Sequence, residues 1–303
     1  MKFSIITPAY NMEQWISSTI ESVLSQTGDF DIEYIIVDDN STDTTLEIVK
    51  SYIEKLKTKA YPIQCNSIDM RYITSSENKG MYESINQGFR EAHGDIFAWI
   101  NADDMYEPEA FKCMAEVFQT YPTVDWVKGI TSTIDEEGKI LKIGACKLYK
   151  QEWLASGIYG QESYFVEQDS VFWRKSLWDK AGTIPSFYRS AGDYWLWIQF
   201  AKISPLISLN KRISFFRKRA GQISKGISKY KYEQKLARPQ RNALAWKARL
   251  FFSPQSRITK ILPQSESFFI WLYPIIFGKP NAVYFEYNNG TIKEKKMKSY
   301  KII

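Results

Sequence analysis

The chain has 303 residues, 44% hydrophobic and 24% charged, which suits a folded protein of one large domain or two ordinary ones and excludes disorder. Three separated cysteines (Cys65, Cys113, Cys146) without a C-x-x-C pair exclude a disulfide scaffold or a thiolate zinc site, and the single histidine, His93, excludes a site needing two imidazoles. The net charge of +6 hides an asymmetry: residues 211–260 hold fifteen bases against one acid, Glu233, while the remainder is net acidic.

Short apolar runs at 3–7, 34–37, 70–74 and 96–100 predict buried strands. Between them Ile16, Ile20, Val23 and Leu24 form one helical face, Leu46, Val49, Ile53 and Leu56 a second, and Met81, Ile85, Phe89 and Ala92 a third. Asn11 with Gln14, and Thr44 with Glu47, have the spacing of capping boxes, and Gly94 closes the third helix. Strand-helix alternation predicts an α/β fold with a mostly parallel sheet and ligands beyond the carboxyl ends of the strands. After Pro108 a helix through Phe111, Met114 and Phe118 precedes a strand at 124–130 and a hairpin turning at 135–139. A strand at 170–173, a short helix ending at Gly182 and an aromatic helix from Asp193 follow, so the second half is mixed. Residues 226–303 read as a basic, aromatic and helical extension. Its apolar run at 268–277 is ten residues long and contains Pro274, too short to span a bilayer, and the N-terminal apolar run is too short for a secretory signal. These features predict a cytoplasmic protein.

Polar groups gather at the predicted strand ends. Asp103-Asp104 follows a buried run, and two adjacent carboxylates repel unless a cation is near. A divalent ion bridging them to a diphosphate would relieve this; a polar turn ahead of the next helix is the alternative. With few imidazoles and thiols, any metal must be held by oxygen, which favours Mg2+ or Mn2+. Asp38-Asp39-Asn40-Ser41 offers acceptors for a base or ribose, or else caps the next helix. In Pro8-Ala9-Tyr10-Asn11, Tyr10 can stack on a base, or the segment is a turn. Asp193 stands in the first turn of its aromatic helix, as an N-cap or as a general base that the helix start keeps ionised. The chain contains no G-x-x-x-x-G-K-[ST], no G-x-G-x-x-G and no G-x-S-x-G, which excludes P-loop kinases, standard dinucleotide binding and the usual hydrolase elbow.

In order and spacing, the segments containing Pro8-Ala9-Tyr10-Asn11, Asp38-Asp39-Asn40-Ser41, Asn78-Lys79-Gly80, Asn101-Ala102-Asp103-Asp104 and Gly192-Asp193-Tyr194-Trp195 resemble glycosyltransferase family 2, inverting enzymes of GT-A fold that use nucleotide-sugars. The resemblance covers residues 1–225, with a nucleotide-binding half at 1–107 and an acceptor half at 108–225. It implies that Pro8, Ala9 and Tyr10 line a nucleoside pocket, with Asp39 on the base, Asp38 beside it and Lys79 on the donor side. Asp103 would lie near the ribose or donor sugar, and Asp104 would ligate Mn2+ or Mg2+ on the diphosphate. Asp193 would be the catalytic base, with Gln168, Asp169 and Trp195 on the acceptor side. Where many relatives carry a histidine, this chain has Arg219, which implies a guanidinium grip on the diphosphate by Arg217 or Arg219. The expected acceptor is a glycan or lipid-linked hydroxyl of a cell-surface polysaccharide. The basic extension is expected either to meet an anionic membrane at its inner face or to pack on the catalytic domain. No nucleic-acid partner is expected, because the basic stretch holds no recognition motif. A sugar-phosphate nucleotidyltransferase and a non-catalytic nucleotide-sugar-binding protein remain alternatives.

Overall fold

The structure is a computed structural model and describes residues 1–160, 165–222, 227–239, 282–288 and 291–297. The chain opens with β1 (Lys2–Ala9), α1 (Ile16–Leu24), β2 (Asp31–Asp38), α2 (Thr45–Lys57), β3 (Ser67–Thr74), α3 (Met81–Arg90) and β4 (Ile96–Trp99). Then come β5 (Met105–Tyr106), α4 (Ala110–Thr120), β6 (Trp126–Ile134), β7 (Ile140–Lys142), α5 (Gln151–Ala155), β8 (Val171–Arg174), α6 (Lys175–Ala181), α7 (Gly192–Ile203) and β9 (Ile207–Arg217). The last described elements are α8 (Ile227–Ala237), β10 (Ala282–Asn288) and β11 (Thr291–Met297).

The main sheet runs β11-β10-β9-β6-β8-β4-β1-β2-β3, with β5 on β9 and β7 on β6. β1, β2, β3 and β4 are parallel, whereas β8 runs antiparallel to β4 and β6, so the mixed second half is as expected. Each central strand feeds two cores through its period-2 alternation. Ile5, Ile36 and Ala98 join the core under α1 and α4, while Ile6, Val37, Phe97 and Trp99 join the one under α3 and α7. Covered on both faces, these strands need continuous apolar sequence.

Two expectations change. The capping boxes do not form: the N-terminal turns of α1 and α2 are satisfied across the gap between them. Asn11 Oδ1 accepts the Thr42 N–H (2.8 Å), Glu13 Oε2 accepts the Thr44 N–H (3.0 Å), and Asp43 Oδ2 accepts the Glu13 N–H (3.1 Å). Asn11 and Asn40 both take left-handed conformations (φ 52° and 66°), tolerable for asparagine, and the two loops become one rigid rim. The extension is not solely helical either. β10 pairs in parallel with β9 and carries β11, widening the sheet, with Phe285 stacked on Tyr121 (4.3 Å). The run at 268–277 lies outside the described residues, and no helix among the described residues is long and apolar enough to cross a membrane.

Candidate active site

A cavity of about 1060 Å³ opens at the carboxyl ends of β1, β2 and β4. That volume is at the upper end for small-molecule sites and suits a nucleotide-sugar with an acceptor beside it. Pro8, Ala9, Tyr10, Asp39, Asp103, Gln168, Asp169, Asp193 and Arg219 all line it. Acids from four distant stretches therefore share one hollow.

On the rim formed by β1 and β2, Asp39 is buried, and its two oxygens accept the backbone N–H groups of Lys79 (2.8 Å) and Gly80 (2.7 Å). These bonds fix its carboxylate plane toward the cavity. Lys79 contributes through that N–H; its side chain is exposed and off the wall. Asp38 is also off the wall, turned in to accept the Ser41 N–H (3.2 Å), and Tyr10 is exposed at the mouth.

The adjacent acids after β4 part company. Asp103 faces the cavity: its Oδ2 accepts Nε of Arg219 (2.6 Å). Asp104 is fully buried and faces away. Its oxygens accept the Arg217 N–H (2.9 Å) and Asn101 Nδ2 (3.1 Å), and its carbonyl accepts the Thr19 hydroxyl (2.8 Å). Burial, reinforced by the neighbouring Asp103 and Asp169 charges, pushes the Asp104 carboxyl well above the ordinary range. Of the two acids, Asp103 lines the cavity and Asp104 does not.

The two arginines also separate. Arg217 is 3% exposed, and its guanidinium donates to the carbonyls of Asp103 (2.9 Å), Asp135 (3.1 Å) and Glu136 (2.6 Å), so it braces the loops behind the wall and does not reach the cavity. Arg219 lines the cavity, stacked over the Trp15 ring (4.6 Å).

Asp193 is the second residue of α7 and is not its N-cap. Tyr82 of α3 donates its hydroxyl to Oδ1 (3.2 Å). Gly192 lets the two elements meet: a Cβ there would lie 2.7 Å from Ile184 Cγ2 and 2.9 Å from the Tyr82 ring. Burial raises the Asp193 carboxyl to about 6, against the lowering that a helix start alone predicts. It is still ionised at pH 7 and far more basic than an ordinary aspartate, which suits proton removal from a hydroxyl.

Of the residues expected on the acceptor side, Asp169 is buried and its Oδ2 accepts the Ser214 hydroxyl, while burial raises its carboxyl. Gln168 keeps Oε1 buried without a protein partner. Trp195 does not line the cavity; it is half-buried against the core under α3 and α7, near Tyr188 (6.3 Å). Among the described residues the indole that reaches the wall is Trp99, stacked at 7° on Trp197 (5.6 Å), a contact worth about 0.5–1.5 kcal/mol beyond burial.

Tyr82, Trp99, Gln222, and Tyr230 and Lys231 of α8 also line the cavity and escape sequence reasoning. The one available signal concerned α8: Glu233 is the lone acid in its basic stretch. Buried polar atoms of the wall without a protein partner include Trp99 Nε1, Asn101 Oδ1, Gln168 Oε1 and Ser190 Oγ. A cavity whose wall keeps spare donors and acceptors is suited to a hydroxyl-rich ligand.

A family profile, Glycosyl transferase family 2, matches residues 4–190. An uncharacterised glycosyltransferase of Nostoc is 35% identical over 142 residues, 45% of this chain and 40% of that protein. Chondroitin synthase of Escherichia coli is 27% identical over 209 residues, 69% of this chain and 28% of that enzyme. The chain spans less than half the length of either relative. Staphylococcus aureus TarS 1-349 in complex with UDP-GlcNAc superposes with a TM-score of 0.60 at 18% identity, covering 88% of this chain and 78% of that one. The mannosyltransferase PcManGT from Pyrobaculum calidifontis, in complex with GDP-Man and Mn2+, does so at 0.52 with 16% identity, covering 72% and 58%. At these identities the likeness is one of fold, and it agrees with the expected GT-A architecture. With the profile spanning well over half of its length, the chain belongs to glycosyltransferase family 2.

Proposed function

We propose that the protein is an inverting, metal-assisted glycosyltransferase that moves a sugar from a nucleoside-diphosphate sugar onto a hydroxyl of a glycan or lipid-linked acceptor, in the synthesis of a cell-surface polysaccharide. One observation carries the reading: Asp39, Asp103 and Asp193 line a single cavity of nucleotide-sugar size. Asp39, held by two backbone N–H groups, has lone pairs left for a base N–H, with Tyr10 at the mouth to stack on the base. Arg219 stands where its guanidinium can grip a phosphate.

The residues fit a hard divalent ion. Asn101 Oδ1 is buried with no protein partner, and Asn101 and Asp103 both line the cavity. Among the described residues no cluster of three His, Cys, Asp or Glu side chains could hold a metal alone. The set matches Mg2+ or Mn2+, which take one or two protein oxygens and complete their shell from a diphosphate. Such an ion supplies charge neutralisation to the departing nucleoside diphosphate. Asp193 accepts the proton of the acceptor hydroxyl as the bond to the anomeric carbon forms, and Tyr82 holds the carboxylate in place. In this reading the acceptor hydroxyl displaces the nucleoside diphosphate in a single step, which inverts the anomeric centre.

The rival readings are less well supported. The loop after β1 lacks the Gly-rich, basic character of nucleotidyltransferases, and a carboxylate raised to about 6 inside the cavity serves chemistry better than binding alone. A panel including UDP-N-acetylglucosamine and GDP-mannose, with Mn2+, tests the proposal. A matching donor at a hundred times its Kd should stabilise the chain by about 2.7 kcal/mol and release nucleoside diphosphate. A chain that no nucleotide-sugar stabilises would end it. The basic stretch and the run at 268–277 further support peripheral association with the inner face of an anionic membrane.

A further inference from the structure

α8 lies beyond the family-matched segment, yet it carries Glu233, buried at 4% exposure. The Glu233 carboxylate accepts three successive backbone N–H groups from the turn that begins α7. Oε1 takes Arg189 (3.0 Å), and Oε2 takes Ser190 and Ala191 (2.8 Å each). Successive N–H groups at a helix start form an anion-binding nest, and here the anion is a side chain from a distant helix. Asp193 follows two residues later.

The same turn reaches the donor side. The Arg189 guanidinium donates to the Lys79 carbonyl, and the Lys79 N–H holds Asp39 (2.8 Å). Glu233 thus joins the turn carrying Asp193 to the turn holding Asp39. α8 is itself anchored, by Gln234 donating to the Gly160 carbonyl and Arg238 donating to the Tyr194 hydroxyl (3.2 Å), with Tyr230 and Lys231 on the cavity wall. A buried carboxylate with three aligned donors forms charge-assisted bonds stronger than neutral ones, so the turn has little freedom.

We propose that Glu233 is a positioning residue for the transfer reaction: it fixes the Arg189–Ala191 turn so that Asp193 and Asp39 keep their registration across the cavity, which makes α8 part of the catalytic apparatus. This rests on Asp193 being the base. Glu233 also acts by charge, since a second carboxylate nearby disfavours ionisation of Asp193 and raises its basicity. The other titratable groups acting on Asp193 are Tyr82 of α3 and Tyr230 of α8. Of the helices packed on α7, α5 has exposed Glu152, and α6 has exposed Lys180 and the pair Lys175–Asp179 (2.7 Å).

The test uses the full chain and measures kcat, KM and the pH profile of kcat/KM with the donor found in the panel, together with melting temperature. Glu233→Gln removes the charge and keeps the shape. Its expected kcat falls about tenfold with donor KM within about twofold, as for a displaced catalytic group. Its acid limb should move to lower pH, which mere loosening of the fold would not cause. Should this variant fail to fold, Arg189→Met, exposed and leaving the Glu233 bonds intact, tests the tie to the donor side. It should raise donor KM about fivefold, with the acid limb unmoved. A Glu233→Gln enzyme with unchanged kcat and limb, beside an inactive Asp193→Asn, overturns the positioning role alone, as does an Arg189→Met enzyme with unchanged KM. An active Asp193→Asn would overturn the base assignment and this inference with it.

Discussion

Asp193→Asn separates the catalytic and energetic roles of the buried carboxylate. Carrying the group from its ordinary 3.8 to about 6 means that the ionised form destabilises the folded state. At pH 8 the effect amounts to about 1–3 kcal/mol, the lower figure allowing for water in the open cavity. Asparagine keeps the size and an acceptor oxygen for Tyr82 while removing the charge, so the variant should melt about 2–6 °C higher at pH 8. The sign follows from linkage: a folded-state value above the unfolded one favours the protonated native state. The gain is therefore full above pH 6, shrinks as the pH falls below it and vanishes near pH 3.8. Transfer should fall by about 10²–10⁴ in the same variant, the usual worth of a general base. In the parent enzyme kcat/KM should drop about tenfold from pH 7 to pH 5 as the base protonates. Calorimetric melts at pH 8 and pH 5, with initial rates on the same preparations, decide the matter. A variant that melts at or below the parent at both pH values refutes the burial argument, and one that retains transfer refutes the assignment of the base.

The parted acids after β4 predict that Asp103→Asn weakens Mn2+ binding in the presence of UDP at least about tenfold, read as a Mn2+-dependent thermal shift, whereas Asp104→Asn leaves it within about twofold. Equal effects would contradict the observed orientations. Arg217→Ala should lose about 3 kcal/mol or more of stability in urea titrations, since three buried carbonyls are left without their donor. Arg219→Ala should raise donor KM about tenfold; a stable Arg217→Ala protein would undo that division of labour. Replacing Lys247, Arg249, Arg257 and Lys260 by glutamate should abolish flotation with vesicles containing anionic lipid, and unchanged flotation would remove the membrane proposal.

The first half of the molecule is legible in the sequence because β1, β2 and β4 are covered on both faces, so they need unbroken apolar runs that betray them. That parallel strands place ligands at their carboxyl ends follows directly, and it led to Pro8, Asp39 and the Asn101-Ala102-Asp103-Asp104 stretch. β9 stayed hidden because it mixes buried Leu209 and Ile213 with charged groups answered only in the folded chain, as Arg217 is by three distant carbonyls. β10 and β11 read as part of a basic tail for the same reason: their partners lie far away in the chain.

Residue types and order alone thus determined the parallel core, its ligand-bearing edge and the family. Tertiary structure decided which of two identical neighbouring carboxylates sees the cavity, which arginine braces and which one reaches the cavity, and how basic Asp193 is. Those outcomes depend on orientation and on enclosure by groups from α3, α7 and α8, and enclosure is a property of three-dimensional packing that local spacing does not encode.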